Sequence, residues 1–226
     1  MICLVTDRRR LVAGGARPDA EFACLAAQVQ YAVDAGIDLV QVRERDLSGG
    51  DLAALVTSLL AVTRGTRTRL VVNDRLDVAL ACAADGVHLR SDSVPVQAAR
   101  RLTPSGFLVG RSVHAAGEAV DAGAGADYLI AGTVFPSASK WPGAALLGIE
   151  GLRSIVNAVG VPVLAIGGMS GERIAQAAAA GAAGIAAIGL FSGVHADAQT
   201  GWCRAGDLRQ TVTDIRARFD RLNTTP

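Results

Sequence analysis

The sequence predicts a single-domain (β/α)8 barrel over residues 1–226, an α/β fold in which parallel strands and helices alternate eight times. Short β-branched runs alternate with longer segments rich in Ala and Leu, and eight such units follow one another along the chain. Most of the runs are continuously apolar, which is typical of parallel strands covered on both faces. Each unit takes about 28 of the 226 residues, close to the minimum for a strand, a loop and a helix.

The strands are predicted, in chain order, at 2–6, 37–43, 69–73, 86–89, 107–111, 127–131, 161–166 and 184–188. The helices are predicted near 19–35, 51–63, 75–83, 94–102, 115–124, 149–159, 171–180 and 207–221. Asp19, Ser48 and Ser170 are predicted N-caps, because their side-chain oxygens can accept hydrogen bonds from the first turn of a helix. A flavodoxin-like or Rossmann sheet is the alternative, but no G-x-G-x-x-G motif follows the first strand.

The composition excludes a disordered chain, and it excludes a surface with a large excess of one charge that would attract an oppositely charged partner. Half of the residues are hydrophobic, 19% are charged and the mean hydropathy is +0.34, which provides for a large core. The 22 basic and 21 acidic residues leave a net charge of +1, so we expect small-molecule substrates and neither nucleic acid nor a membrane as partners. The expected location is the cytoplasm, because the N-terminus becomes charged within seven residues and no uncharged apolar stretch of 18 residues follows. The sequence leaves homo-oligomer formation open.

The four cysteines are Cys3, Cys24, Cys82 and Cys203, and they are widely spaced. They form no C-x-x-C pair and no Cys/His pattern of the kind that binds zinc. We therefore expect reduced thiols without a disulfide framework.

Polar residues are concentrated where the first five strands end. In a (β/α)8 barrel the active site is built at these carboxyl ends, so the residues there are functional candidates. They are, strand by strand, Thr6-Asp7, Gln41 to Arg45, Asn73 to Arg75, His88 to Arg90 and Gly110 to His114. A single such residue is often only a cap or a surface ion pair, but five consecutive strand ends favour a site.

Two further features predict binding of phosphate groups. Glycines follow strands 7 and 8, at Gly167-Gly168 and Gly189, where barrel loops commonly present backbone N–H groups to a phosphate. A long loop after strand 6 contains Ser137, Ser139 and Lys140, whose donors suit pyrophosphate. Lys140 is the only lysine among 22 basic residues, which favours a chemical role over a solubility role.

Seven ordered motifs give the chain a family resemblance. They are, in chain order, LVTD, QVRER, NDRLDVAL, ADGVHL, GRSVH, GTVFPSASK and VLAIGGM, and the resemblance covers about residues 2–192. Together they resemble the thiamine phosphate synthase/TenI family. The resemblance implies a (β/α)8 barrel that, in the synthase branch, joins a hydroxymethylpyrimidine diphosphate to a thiazole phosphate and releases pyrophosphate. The TenI branch includes thiazole tautomerases, which move a proton on a thiazole carboxylate phosphate.

The resemblance also implies roles for individual residues. It places the pyrimidine diphosphate on side chains after strands 2, 3 and 5 and in the strand 6 loop, namely Gln41, Arg43, Arg45, Asn73, Ser112, Ser137, Ser139 and Lys140. It places the thiazole phosphate on Gly168, Ile188 and Gly189. It makes Asp74, in the family's N-D motif, a ligand of Mg²⁺, the implied cofactor.

The loop after strand 4 departs from the synthase pattern. Where that pattern has G-Q-x-D, with the Asp as second magnesium ligand, this chain has Arg90-Ser91-Asp92-Ser93. The matching position is Ser93, and Asp92 one residue earlier either turns toward the metal ion or points away. We take Asp92 as the second expected ligand, since Mg²⁺ needs few protein carboxylates.

The candidate catalytic residues differ between the two branches. A synthase must stabilise a departing diphosphate, which favours Arg43 and Lys140, with Ser112 near the pyrimidine. A tautomerase needs a proton shuttle, for which His114 is the candidate because imidazole titrates near neutral pH. A noncatalytic, thiazole phosphate-binding regulatory barrel is a third hypothesis. His88 lies inside a strand and is expected to be a core histidine.

Overall fold

Eight parallel strands close a barrel in a computed structural model that describes residues 1–12, 18–137, 143, 145–192, 194–196, 203–205 and 208–220. The strands are β1 (Ile2–Val5), β2 (Leu39–Val42), β3 (Arg69–Asn73), β4 (Gly86–Leu89), β5 (Leu108–Val113), β6 (Tyr128–Gly132), β7 (Val163–Ile166) and β8 (Gly184–Ala187). Each strand pairs with the next, and β8 pairs with β1. The predicted barrel is confirmed.

A helix follows each barrel strand. The helices are α1 (Pro18–Ala35), α2 (Gly49–Thr63), α3 (Leu76–Ala81), α4 (Val96–Arg100), α5 (Ala116–Gly123), α6 (Gly148–Ala158), α7 (Gly171–Ala179) and α8 (Leu208–Asp220). Ser48 caps α2 as predicted, since its Oγ accepts from the Asp51 N–H at 3.2 Å. Ser170 is the N-cap residue of α7 but makes no side-chain cap bond. Asp19 lies inside α1, which begins at Pro18, because the fixed φ of proline suits the first helical position.

The core has two layers. Most buried apolar side chains lie between the strands and the helices. A smaller cluster, which includes Val5, Leu39, Val71, Tyr128 and Leu164, fills the barrel itself. Tyr128 requires glycine on the neighbouring strand, since a Cβ at Gly110 would lie 2.2 Å from the Tyr128 ring. Above this inner cluster the barrel opens into the cavity described below.

Two features of the structure were not predicted. A short antiparallel pair, β9 (Val194–Ala196) and β10 (Cys203–Ala205), lies outside the barrel sheet. Cys24 is disulfide-bonded, so the expectation of four reduced thiols is wrong for this residue, whereas Cys3 and Cys82 are free. Wide spacing in the sequence did not exclude the bond, because the fold brings distant segments together.

In the part of the chain that the structure describes, no helix combines the length and the apolar character needed to cross a membrane.

Candidate functional site

The carboxyl ends of the barrel strands surround a cavity of about 790 Å³. The predicted site residues that line it are Gln41, Arg43, Arg45, Asn73, Asp92, Ser112, His114, Ser137, Gly168, Ile188 and Gly189. Asp74 is not a lining residue, but it lies against Arg90, which does line the cavity. Ser139 and Lys140 fall outside the described residues. The fold thus gathers residues that are far apart in the sequence around one opening.

The floor of the cavity is polar on one side and apolar on the other. Gln41 on β2 and Asn73 on β3 are buried, and Gln41 Nε2 donates to Asn73 Oδ1 at 2.9 Å. Ile130 on β6 and Ile166 on β7 line the cavity from the opposite side of the closed barrel. Such a floor suits a flat ring with hydrogen-bonding groups along one edge.

Arg43 follows β2 directly and is half-buried in the cavity wall. Its backbone N–H donates to Thr6 Oγ1 at 2.9 Å, and Thr6 Oγ1 donates in turn to Glu44 Oε1 at 2.7 Å. Burial, followed by the neighbouring charge of Arg45, lowers the pKa of Arg43. The positive charges of Arg43 and Arg45 repel each other, and a bound anion relieves that repulsion.

An ion network around the buried side chains of Arg8 and Glu44, which also includes the more exposed Asp46, fixes this arrangement. The Arg8 side chain is 7% exposed, and its Nη1 donates to Glu44 at 2.9 Å and to Asp46 at 2.8 Å. Burial raises the pKa of Glu44, while hydrogen bonds from Thr6 and Arg8 oppose the shift. Hydrogen bonds from Arg8 hold the pKa of Asp46 at about 2. The network ties the loop after β1 to the loop after β2, and with them the backbone of Arg43.

Ser112 on β5 is oriented from below by His88. The His88 ring is buried, with Nε2 at 2.9 Å from Ser112 Oγ and Nδ1 at 3.2 Å from the Tyr128 hydroxyl. Burial, with a smaller contribution from Arg111, lowers the pKa of His88 to about 3. His88 is therefore neutral at physiological pH, and its placement as a core histidine is confirmed.

His114 lies at the exposed rim of the cavity, one residue beyond β5. Its Nδ1 is hydrogen-bonded to the carbonyl oxygen of Gly132, and its backbone N–H donates to Glu118 at 2.8 Å. A carbonyl oxygen only accepts, so Nδ1 carries the proton and neutral His114 keeps Nε2 as an acceptor.

The loops after β7 and β8 line another part of the cavity with their backbone. Gly167 and Gly168 have φ values of 106° and 62°, in the left-handed region. A Cβ on Gly168 would lie 2.3 Å from the carbonyl oxygen of Pro136, so glycine alone fits there. A 3-10 turn at Gly189–Phe191 follows β8. N–H groups at the start of such turns favour an anion.

Asp74 and the loop after β4 form a cluster of polar contacts. The Ser93 hydroxyl donates to Asp74 Oδ1 and accepts the Arg90 backbone N–H at 3.0 Å. The Arg90 guanidinium lies 3.6 Å from Asp74 Oδ2 and also pairs with Asp92. Asp74 has a φ of 65°, a conformation that glycine adopts at the lowest cost. Arg90 therefore lies between the two carboxylates that the sequence assigns to magnesium.

The donor set fits a metal ion that arrives with a phosphorylated substrate. The described residues contain no group of three His, Cys, Asp or Glu side chains that could hold a metal ion. Mg²⁺ usually takes one or two protein carboxylates and completes its shell with water and phosphate oxygens. Asp74 and Asp92, which both pair with Arg90, are the carboxylates that would hold such an ion.

Sequence reasoning gave no role to several cavity residues, among them Arg10, Thr133 and Arg173. Arg173 Nη1 donates to the Gly168 carbonyl oxygen at 2.9 Å, and its guanidinium lies 5.3 Å from the centre of the Phe135 ring. It therefore braces the glycine loop after β7. Its place in the first turn of the helix after that loop is the signal that could have identified it.

The fold and the cavity together define the class of this protein. It is a single-domain (β/α)8 barrel whose mouth is lined by arginines and by glycine-rich loops.

Comparison with known proteins identifies the family. A family model described as thiamine monophosphate synthase (TMP-TENI) matches residues 10–191. A thiamine-phosphate synthase of Methanoregula boonei is 42% identical over 91% of this chain and 91% of its own length. A thiamine-phosphate synthase of Pyrococcus abyssi is 37% identical over 97% of this chain and 94% of its own length. A solved structure of thiamine phosphate pyrophosphorylase from Pyrococcus furiosus matches with a TM-score of 0.76 and 32% identity, covering 98% of this chain and 96% of that one. The chain belongs to the thiamine monophosphate synthase family.

Proposed function

We propose that this chain is a thiamine phosphate synthase, which joins a hydroxymethylpyrimidine diphosphate to a thiazole phosphate and releases pyrophosphate. The observation that carries the proposal is the position of the anion-binding elements. Arg43 and Arg45 follow β2, whereas the glycine loops follow β7 and β8 and line a separate part of the same cavity. Two phosphorylated substrates can therefore bind with their rings between them. The names of the relatives agree with this reaction.

The reaction needs stabilisation of charge more than proton transfer. The bond between the pyrimidine methylene carbon and the diphosphate oxygen breaks, and its electron pair leaves with the pyrophosphate. The electron-rich aminopyrimidine ring stabilises the cationic methylene carbon. The thiazole nitrogen then uses its lone pair to form the new C–N bond. No general base takes part, which agrees with a neutral, buried His88 beneath Ser112.

In this scheme the positive side chains stabilise the departing diphosphate. Arg43 and Arg45 bind its oxygens, together with Ser137, Ser139 and Lys140 of the loop after β6. Mg²⁺ held by Asp74, with Asp92 as the second candidate ligand, supplies further positive charge toward the diphosphate when bound.

The remaining side chains position the two rings. Gln41, Asn73 and Ser112 hold the polar edge of the pyrimidine. The backbone at Gly168, Ile188 and Gly189 binds the thiazole phosphate. Each substrate is thus fixed at one end by its anionic group and at the other by the cavity floor.

The test is product formation by the purified chain. Incubation with both substrates and Mg²⁺ is expected to give thiamine phosphate and pyrophosphate in equal amounts. Arg43→Met and Lys140→Ala are each expected to lower kcat/KM by about 100-fold, the scale of removing one donor from a developing anion. Arg153→Gln, at an exposed arginine outside the cavity, is the control and is expected to retain activity.

A thiazole tautomerase is the second candidate, because His114 lies at the cavity with Nε2 available as an acceptor. Conversion of a thiazole carboxylate phosphate that His114→Asn abolishes, without any thiamine phosphate formation, would overturn the synthase proposal. Tight binding of thiazole phosphate with neither activity would instead identify a noncatalytic barrel.

A further inference from the structure

Arg90 lines the cavity, yet the reaction described above gives it no role. It is the first residue after β4, and its side chain is 40% exposed. Its carboxylate partners, Asp92 and Asp74, are 65% and 31% exposed. Exposed ion pairs contribute about 0–1 kcal/mol, so Arg90 can leave both partners at small cost.

The backbone around Arg90 is held in place while its side-chain contacts remain exchangeable. Arg111 on β5 donates from Nη1 to the Val94 carbonyl oxygen at 2.7 Å and from Nη2 to the Ser91 carbonyl oxygen at 2.9 Å. The Arg90 N–H itself donates to Ser93 Oγ. Rotation about the side-chain bonds is therefore sufficient to turn the guanidinium toward a ligand in the cavity.

A diphosphate is a better partner for this guanidinium than either carboxylate. It carries more negative charge, and its oxygens match the planar fork of an arginine, which can form two parallel hydrogen bonds. Asp74, in contrast, is engaged on both oxygens before any ligand binds, by the Ser93 hydroxyl and by Arg90. A metal ion that approaches Asp74 alone must compete with the charge of Arg90.

We propose that Arg90 is a diphosphate-binding residue that exchanges Asp74 and Asp92 for the substrate's diphosphate, and that this exchange frees Asp74 for Mg²⁺. The inference rests on the proposed function for the identity of the anion. It predicts effects of opposite sign on two ligands when Arg90 is removed. Pyrophosphate loses a binding partner, whereas Mg²⁺ loses a competitor.

Isothermal titration calorimetry tests this with pyrophosphate alone and with Mg²⁺ alone. Arg90→Gln is expected to weaken pyrophosphate binding by about tenfold and to strengthen Mg²⁺ binding by about threefold. Arg153→Gln is the matched control, because Arg153 is 48% exposed, pairs with Glu150 on the same helix at 3.8 Å and does not line the cavity. It is expected to change either affinity by less than about twofold. Thermal melts by circular dichroism verify that both variants are folded.

The outcomes separate this inference from the proposed function. Unchanged pyrophosphate affinity in folded Arg90→Gln would overturn the inference, even if the wild-type chain makes thiamine phosphate. Loss of affinity for both ligands would also overturn it, since Arg90 would then only support the mouth of the cavity. Opposite shifts in a chain that makes no thiamine phosphate would uphold Arg90 as an anion-binding residue and overturn the synthase assignment.

Discussion

Two groups of ion pairs stand at the same end of the barrel and differ in burial. Arg8 and Glu44, between the loops after β1 and β2, are 7% and 3% exposed. Arg90 and Asp92, after β4, are 40% and 65% exposed. In the first group the charges are surrounded by partners from the chain itself, and breaking a pair there leaves a charge in a poorly solvated site. In the second, water can replace a lost partner.

The difference separates the two tasks of a binding site. The buried group fixes geometry, because Glu44 holds Thr6, and Thr6 holds the backbone of Arg43. The exposed group offers a positive charge that can bind a ligand, because its present ion pairs contribute little to stability. The following predictions test this division, beginning with the largest expected effect.

Arg8→Met is expected to lower the free energy of unfolding by about 3–5 kcal/mol, because Glu44 then stays buried without its cation. Arg9→Met is the control, since Arg9 is 64% exposed and also pairs with Asp46, at 2.8 Å. It should cost less than about 1 kcal/mol. Chemical denaturation measures both. Equal losses for the two variants would contradict the comparison.

The next largest effect on stability is expected from His88, a polar ring that is buried in its neutral form. Its pKa is lowered to about 3 from an ordinary 6.5, so between these values the unfolded chain binds a proton that the folded chain does not. Stability therefore falls as the pH drops below 6.5, by about 2 kcal/mol from this residue between pH 7 and pH 5. Denaturation at both pH values measures the loss. The same loss in His88→Gln would assign it to other groups.

Thr6→Val tests whether the buried group positions Arg43. Valine keeps the shape but removes the hydroxyl that donates to Glu44 and accepts from the Arg43 N–H. We expect a loss of about 1–2 kcal/mol in unfolding free energy and about threefold weaker pyrophosphate binding. Thr57→Val is the control, because Thr57 on α2 is exposed and bonds only within its helix. Normal pyrophosphate affinity in Thr6→Val would limit Thr6 to a structural role.

Asp92→Asn is expected to have the smallest effect on stability, within about 0.5 kcal/mol, because its pair with Arg90 is exposed. Without Mg²⁺, pyrophosphate binding should strengthen by about twofold, since Arg90 loses a competing partner. Calorimetry with and without Mg²⁺ distinguishes the roles of Asp92. Weaker binding only when Mg²⁺ is present would make Asp92 a metal ligand.

The barrel was predictable because each element has a strong local signal. Buried parallel strands appear as continuous apolar runs, and every predicted end of a barrel strand lies within two residues of the end observed. The antiparallel pair at 194–205 was missed because strands of three residues are too short to show a pattern.

The site was predictable to a smaller extent. The sequence identified which strand ends are polar, and closure of the barrel brings those ends to one cavity. It did not identify the partners of each side chain. Arg8 and Glu44 are 36 residues apart, and Ser93 and Asp74 are 19 apart, so no local pattern relates them.

The sequence by itself determined the eight strand-helix units, the polar strand ends and the glycines that follow β7 and β8, because these depend on residue type and local spacing. Only the tertiary structure decided that the backbone of Arg43 is held by Thr6 and that the ion pairs of Arg90 are exposed. The reason is that pairing between strands sets which side chains meet. The register that aligns Asn73 with His88 brings Asp74 beside the loop after β4, and that neighbourhood exists only in the closed barrel.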